Sequence, residues 1–176
     1  MTEATDKNSR KLFKTAGRNS FFEVYDATNI NRMEIQITLW DPDTHTVTDQ
    51  ASYFIELPEM LALCEVILNN TFDDYCSNDK AFPRVGFSVP RGRDQMRKWD
   101  LSHNSTGSYT TTIEVREARE KWTNEAPQIA KASFTLPPFS MVMMAATIKN
   151  FILSKPELLY KVASGQQEPR VERAQA

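Results

Sequence analysis

The feature that most narrows the fold is a junction that occurs twice, at Leu57-Pro58 in YFIELPEMLALCEVI and at Leu136-Pro137 in ASFTLPPFSMVMMAA, 79 residues apart. Each joins an extended segment to an apolar stretch at helical spacing. Proline suits the first turn of a helix, where its missing N–H would lack an intrahelical partner anyway. Each junction therefore reads as a strand running directly into a helix. Superposing them sets Ile55 on Phe134, Met60 on Phe139, Leu63 on Val142 and Cys64 on Met143. Apolar character is kept while residue types change, the mark of an architectural repeat.

Several strands precede each junction. FFEVYDAT leads through a turn at Asn29–Asn31 to RMEIQITLW, where Met33, Ile35, Ile37 and Leu39 alternate with Glu34, Gln36, Thr38 and Trp40 as a half-buried strand requires. DPDTH supplies turn chemistry before VTDQASYFIEL. The second half repeats the order with FPRVGFSVP, MRKWDLSH, SYTTTIEVREA and IAKASFTL, and its helix runs to Pro156, whose ring disfavours helix at Lys155. The expected fold is α+β: two antiparallel β-sheet units, each followed by an α-helix, a βββ(β)α repeat. Residues 1–17 are expected to be a flexible N-terminal segment, 18–72 the first unit and 80–154 the second, packed with the first as one domain. A short terminal helix over 155–163 would cap the core through Leu158, Leu159 and Val162, and 164–176 would be a disordered tail, too poor in apolar side chains to offset the entropy of ordering it.

A chain of 176 residues with 40% hydrophobic and 25% charged side chains is an ordinary globular composition. It has no continuous apolar run for a signal peptide or a membrane span, so an intracellular protein is expected, in cytoplasm, nucleus or organelle matrix. Cys64 and Cys76 are too few for a disulfide framework and are expected to be reduced.

Catalysis and cofactor binding find little to work with. His45 and His103 are the two histidines, neither in a triad-like context. Five glycines form no GxGxxG or GxxxxGK phosphate cradle. Asp73-Asp74 and the DPD of residues 41–43 lack calcium-loop spacing. The reading is a non-enzymatic protein with no catalytic residues, metal or cofactor.

Charge is segregated. Met33 to Asp79 holds ten acidic residues and no Lys or Arg, whereas Lys80 to Lys98 carries six cations against Asp94 alone. In PRVGFSVPRGRDQMRKWD, Arg84, Arg91, Arg93, Arg97 and Lys98 interleave with Phe87 and Trp99. Single strands need both: phosphates pair with cations, and each unstacked base gains about 1–3 kcal/mol on a flat side chain. Arg18, Arg32 and Trp40 around the first strands, and Arg116 in the second unit, complete the candidate nucleic-acid-binding set. Single-stranded DNA or RNA is the expected partner. The alternative is a protein-interaction or assembly module with no nucleic-acid affinity, in which the acidic face and the Met-rich helix contact other proteins and the basic segment is a solvated loop.

With its strand-to-helix junctions IELPEML and FTLPPFSM and its basic and aromatic strand residues, the stretch from about residue 18 to 154 resembles the Whirly family. More distantly it resembles the Pur and transcriptional positive-cofactor families, all single-stranded nucleic-acid binders. The resemblance implies that strands form the binding surface, with Arg32, Trp40, Arg97, Trp99 and Arg116 near it. It also implies that the helix carrying Met141–Met144 and Ile148 contributes to a homo-oligomer. The acidic first half departs from the usual basic balance of such proteins.

Overall fold

The computed structural model describes residues 7–79, 81–88, 94–118 and 121–159. Among them the chain forms eight strands and three α-helices. Four strands, β1 (Lys11–Ala16), β2 (Ser20–Ala27), β3 (Arg32–Asp41) and β4 (Thr46–Glu56), make one antiparallel sheet in sequential order. Helices α1 (Leu57–Leu68) and α2 (Phe72–Asp79) follow. The second sheet repeats the order with β5 (Arg84–Ser88), β6 (Gln95–His103), β7 (Tyr109–Arg116) and β8 (Gln128–Leu136), and α3 (Pro138–Leu153) follows it. The fold is α+β, with two sheet-plus-helix units.

One hydrophobic cluster runs through both units. The first sheet contributes Phe22, Val24, Met33, Ile35, Ile37 and Tyr53, all on one face because paired residues such as Ile35 and Tyr53 lie directly opposite. The second contributes Trp99, Leu101, Ile113, Ala132 and Phe134 by the same alternation. These inner faces meet at Tyr53 with Trp99, ring centroids 5.7 Å apart, and at Phe22 with Phe134, 6.0 Å apart. The helices complete the core with Met60, Leu63 and Cys64 of α1 and Met144, Ala145 and Ile148 of α3.

The repeat has two offsets. Its strands keep the 79-residue spacing, with Ile55 and Phe134, and Leu57 and Leu136, all buried. Its helices do not. Met60, Leu63, Cys64 and Ile67 are buried at the positions of Met141, Met144, Ala145 and Ile148, an offset of 81. Phe139, Val142 and Met143, superposed on α1 core residues by sequence, are exposed instead, Phe139 at 74%. The cause is the junction. α1 begins at Leu57, but its counterpart Leu136 is still in β8 and Pro137 is extended too, so α3 begins two residues later, at Pro138, and presents a different face.

Two other expectations are corrected. Within 1–17, Lys11–Ala16 is a strand paired to β2, anchored by Leu12 and Phe13 against the core, so the segment is not flexible throughout. Residues 72–79, assigned to no element from sequence, form α2, whose Phe72 is buried edge-on to Tyr109 at 5.2 Å. The expected terminal helix appears as a helical turn over 156–159 with Leu158 buried; residues 160–163 and the tail 164–176 lie outside the described residues.

The edges of β4 and β8 are closed by side chains from the other sheet. Arg97 Nη1 donates to the Ser52 carbonyl at 2.6 Å and to its hydroxyl at 2.9 Å, and the Lys131 N–H donates to Asp49 Oδ2 at 3.1 Å. Unsatisfied edge groups are thereby given partners across the joint.

Candidate nucleic-acid interface

The outer faces of the two sheets, opposite the core, carry matching electrostatic rows. On the first, Lys14, Glu23, Gln36 and Ser52 lie in register across four strands. On the second, Lys98, Glu114 and Lys131 lie in register across three. Each row buries one carboxylate beneath cations. Glu23 is 5% exposed and takes Lys11 Nζ at 2.7 Å and the Tyr25 hydroxyl at 2.9 Å. Glu114 is 3% exposed and takes Arg116, Lys131 at 3.5 Å and Lys98 at 3.9 Å. Burial alone would favour the neutral acids, but these cations and hydrogen bonds hold both carboxyls below their ordinary range. The Tyr25 hydroxyl is pushed up by burial and by the Glu23 charge.

Beside each row, cations cover aromatic rings. Lys14 Nζ sits 3.9 Å above Phe21, which stacks on Trp40 at 5.8 Å; Trp40 in turn stacks on His45 at 5.9 Å. His45 ends this stack in an exposed turn, with φ of 53°. On the second sheet, Lys98 and Arg116 lie 5.1 and 5.6 Å from the Trp122 ring. Val85 and Phe87 on β5 are exposed on the same face.

The residues singled out from sequence divide accordingly. Lys98 and Arg116 are brought together on the outer face of the second sheet, and Trp40 lies on that of the first. Arg18 is exposed in the β1–β2 turn. Arg32 pairs with Glu56 at 2.9 Å. Arg84 is engaged by Glu59 at 2.6 Å and by the Tyr75 hydroxyl at 2.7 Å, which ties β5 to α1 and α2. Arg91 and Arg93 lie outside the described residues. Trp99 is a correction: it is 2% exposed in the core, its indole N–H satisfied by Thr111, and presents no ring to a base. Its alternation with Lys98 already put the two on opposite faces, and the apolar face was the one buried. Arg97 shares the inner face with Trp99 but reaches the joint between the sheets.

Sequence reasoning missed Lys11, Lys14, Phe21, His45, Trp122 and Lys131. The signal for the first two was Lys11-Leu12-Phe13-Lys14, a cation-flanked apolar pair inside a stretch read as flexible.

Burial pushes the Cys64 thiol up to about 12, far from a reactive thiolate. His103 Nδ1 lies 3.0 Å from Asp73 Oδ2 and its ring stacks on Tyr109, a contact that ties α2 to β6. Among the described residues, no three His, Cys, Asp or Glu are gathered to hold a metal ion, and no helix is long and apolar enough to cross a membrane.

No model of a known protein family matches the chain, and no curated protein matches it.

Proposed function

We propose that this is a non-enzymatic protein that binds single-stranded DNA or RNA on the outer faces of its two sheets, with little sequence preference along most of the strand. One observation supports the reading: on both faces a cation lies over an aromatic ring beside a buried carboxylate that gathers Lys or Arg around it. Phosphates pair with such cations, and bases stack on such rings, whatever their sequence. Lys14, Trp40 and His45 serve one face; Lys98, Arg116, Trp122 and Lys131 serve the other. The order of elements that motivates the Whirly resemblance supports the same use of strands. Labelled single strands and duplexes of equal length, compared by fluorescence anisotropy, test it. Tighter binding of the single strand is expected, and equal or absent binding of both refutes it.

A second reading, assembly with other proteins or with further copies, is favoured by the ridge of Phe139, Val142 and Met143 on α3. In its full form it excludes nucleic-acid affinity, so the same anisotropy comparison separates the two. A monomeric mass by light scattering, unchanged in Met143→Glu, would remove self-association from it.

A further inference from the structure

The edges of β4 and β8 are closed at the joint between the sheets. The outer edge of β5 is different. Among the described residues its one strand partner is β6, and no backbone group of Arg84–Ser88 bonds to any other element. The N–H and C=O groups on that side are a template for a further strand. Natural edges are commonly guarded by a charge, a proline or a bulge. The one ionised side chain of β5, Arg84, is bound to Glu59 and to the Tyr75 hydroxyl, so it does not guard the edge. What the strand shows on the outer face is apolar. Val85 is 44% exposed and Phe87 47%, opposite Lys98 and Met96 of β6.

We propose that this edge takes β5 of a second copy of the chain, antiparallel, with a two-fold axis at Gly86. Two observations select a copy of this chain over a strand of another protein. The first is register. Pairing about Gly86 sets Val85 opposite the partner's Phe87, and Phe87 opposite the partner's Val85. Aromatic and β-branched side chains directly across from one another stabilise a sheet. One strand thus supplies both halves of each pair, as a two-fold contact requires. The second is charge. Groups near a two-fold axis meet their own images, so an ionised side chain there would repel itself. At this axis Val85 and Phe87 are neutral, Gly86 has no side chain, and Arg84 is already paired. The Lys98 side chains of the two copies stand three strand spacings apart, about 14 Å, beyond the Debye length of about 8 Å at physiological salt. The pairing joins the two second sheets into one of eight strands, with Lys98, Arg116 and Lys131 of both copies on its outer face. It goes beyond the single-strand reading and does not depend on it.

Light scattering on the wild type, Phe87→Lys and Met143→Glu tests the pairing. The wild type should show twice the mass of the 20.2 kDa chain. Phe87→Lys sets two cations diagonally across the axis and should lower the mass to one chain, while Met143→Glu on the α3 ridge should leave it at two. A single-chain wild type at every concentration overturns the proposal, as does a two-chain mass that Met143→Glu halves and Phe87→Lys leaves intact. The register is read by mixing Val85→Cys with Phe87→Cys in the presence of oxidised glutathione. Cβ atoms directly opposite are about 4.5–5.5 Å apart, within reach of a disulfide, whereas diagonal ones are about 7–8 Å apart. The mixture should give a covalent dimer at several times the yield of either variant alone. Equal or absent cross-linking in all three samples contradicts the register and the proposal with it. Should Phe87→Lys not fold, the mixture decides. Failure here leaves the single-strand reading to its own anisotropy comparison.

Discussion

Trp99 Nε1 donates a 2.8 Å hydrogen bond to the Thr111 hydroxyl, with both side chains buried on the inner face of the second sheet. The indole also packs against Tyr53 from the first sheet and edge-on to Phe82 at 5.1 Å, so it joins the two units. Trp99→Ala should cost about 3–5 kcal/mol by leaving a cavity. Trp99→Phe should cost less, on the order of 1–3 kcal/mol, chiefly by leaving the Thr111 hydroxyl without its donor. Urea denaturation checks both. A Trp99→Ala variant as stable as the wild type would contradict the core assignment.

That residue also shows how far the sequence could be read. The period-2 alternation in RMEIQITLW separates two faces, because a strand offers no other arrangement of neighbouring side chains. It could not say which face meets the other sheet. Lys98 and Trp99, grouped in one binding set by composition, are strand neighbours and so lie on opposite faces, Lys98 outward and Trp99 in the core. The outer face of β3 is itself mostly closed: Glu34, Gln36 and Thr38 are buried among long polar neighbours, an outcome that depends on strands distant in sequence. The strand-to-helix junctions were legible from Leu-Pro alone, but the two extra extended residues before α3, Leu136 and Pro137, were not. That single difference moved Phe139, Val142 and Met143 from core to surface. Arg84 was taken by Glu59, 25 residues away, a pairing that no local pattern records.

Gly17 closes the tight β1–β2 turn. A Cβ there would come within 2.9 Å of the Ser20 hydroxyl and 3.2 Å of the Phe134 ring. The hydroxyl can rotate away, but the ring is held in the core. Gly17→Ala should destabilise the protein by about 1–3 kcal/mol through overpacking, read as a lowered urea midpoint with an unchanged slope.

Glu23 and Glu114 give stability a definite acid dependence. Both carboxyls are held below their ordinary value of 4.5 in the folded protein. The unfolded chain therefore binds protons first as pH falls. Their stabilisation is fully present above the unfolded value and is lost progressively below about pH 4.5. Urea midpoints measured between pH 7 and pH 3 should fall across that window. Glu23→Gln should be less stable at pH 7 and should show a shallower decline.

Trp122 is the most accessible test of stacking, because it lies on a loop over Lys98 and Arg116 and outside the core cluster. Trp122→Ala should leave the unfolding free energy from urea denaturation within about 0.5 kcal/mol of the wild type. It should weaken single-strand binding by about fivefold to 150-fold, the equivalent of one stacked base. Lost stability with unchanged affinity would assign the ring a purely structural role.

The central claim is tested most directly by the salt dependence of single-strand affinity, followed by fluorescence anisotropy from low to physiological salt for the wild type, Lys14→Ala and Lys131→Ala. The expected result is a linear fall of log affinity with log salt, and a slope made shallower by roughly 0.7 in each variant as one phosphate contact is lost. Binding that ignores salt, slopes identical in all three proteins, or no binding at low salt would contradict it.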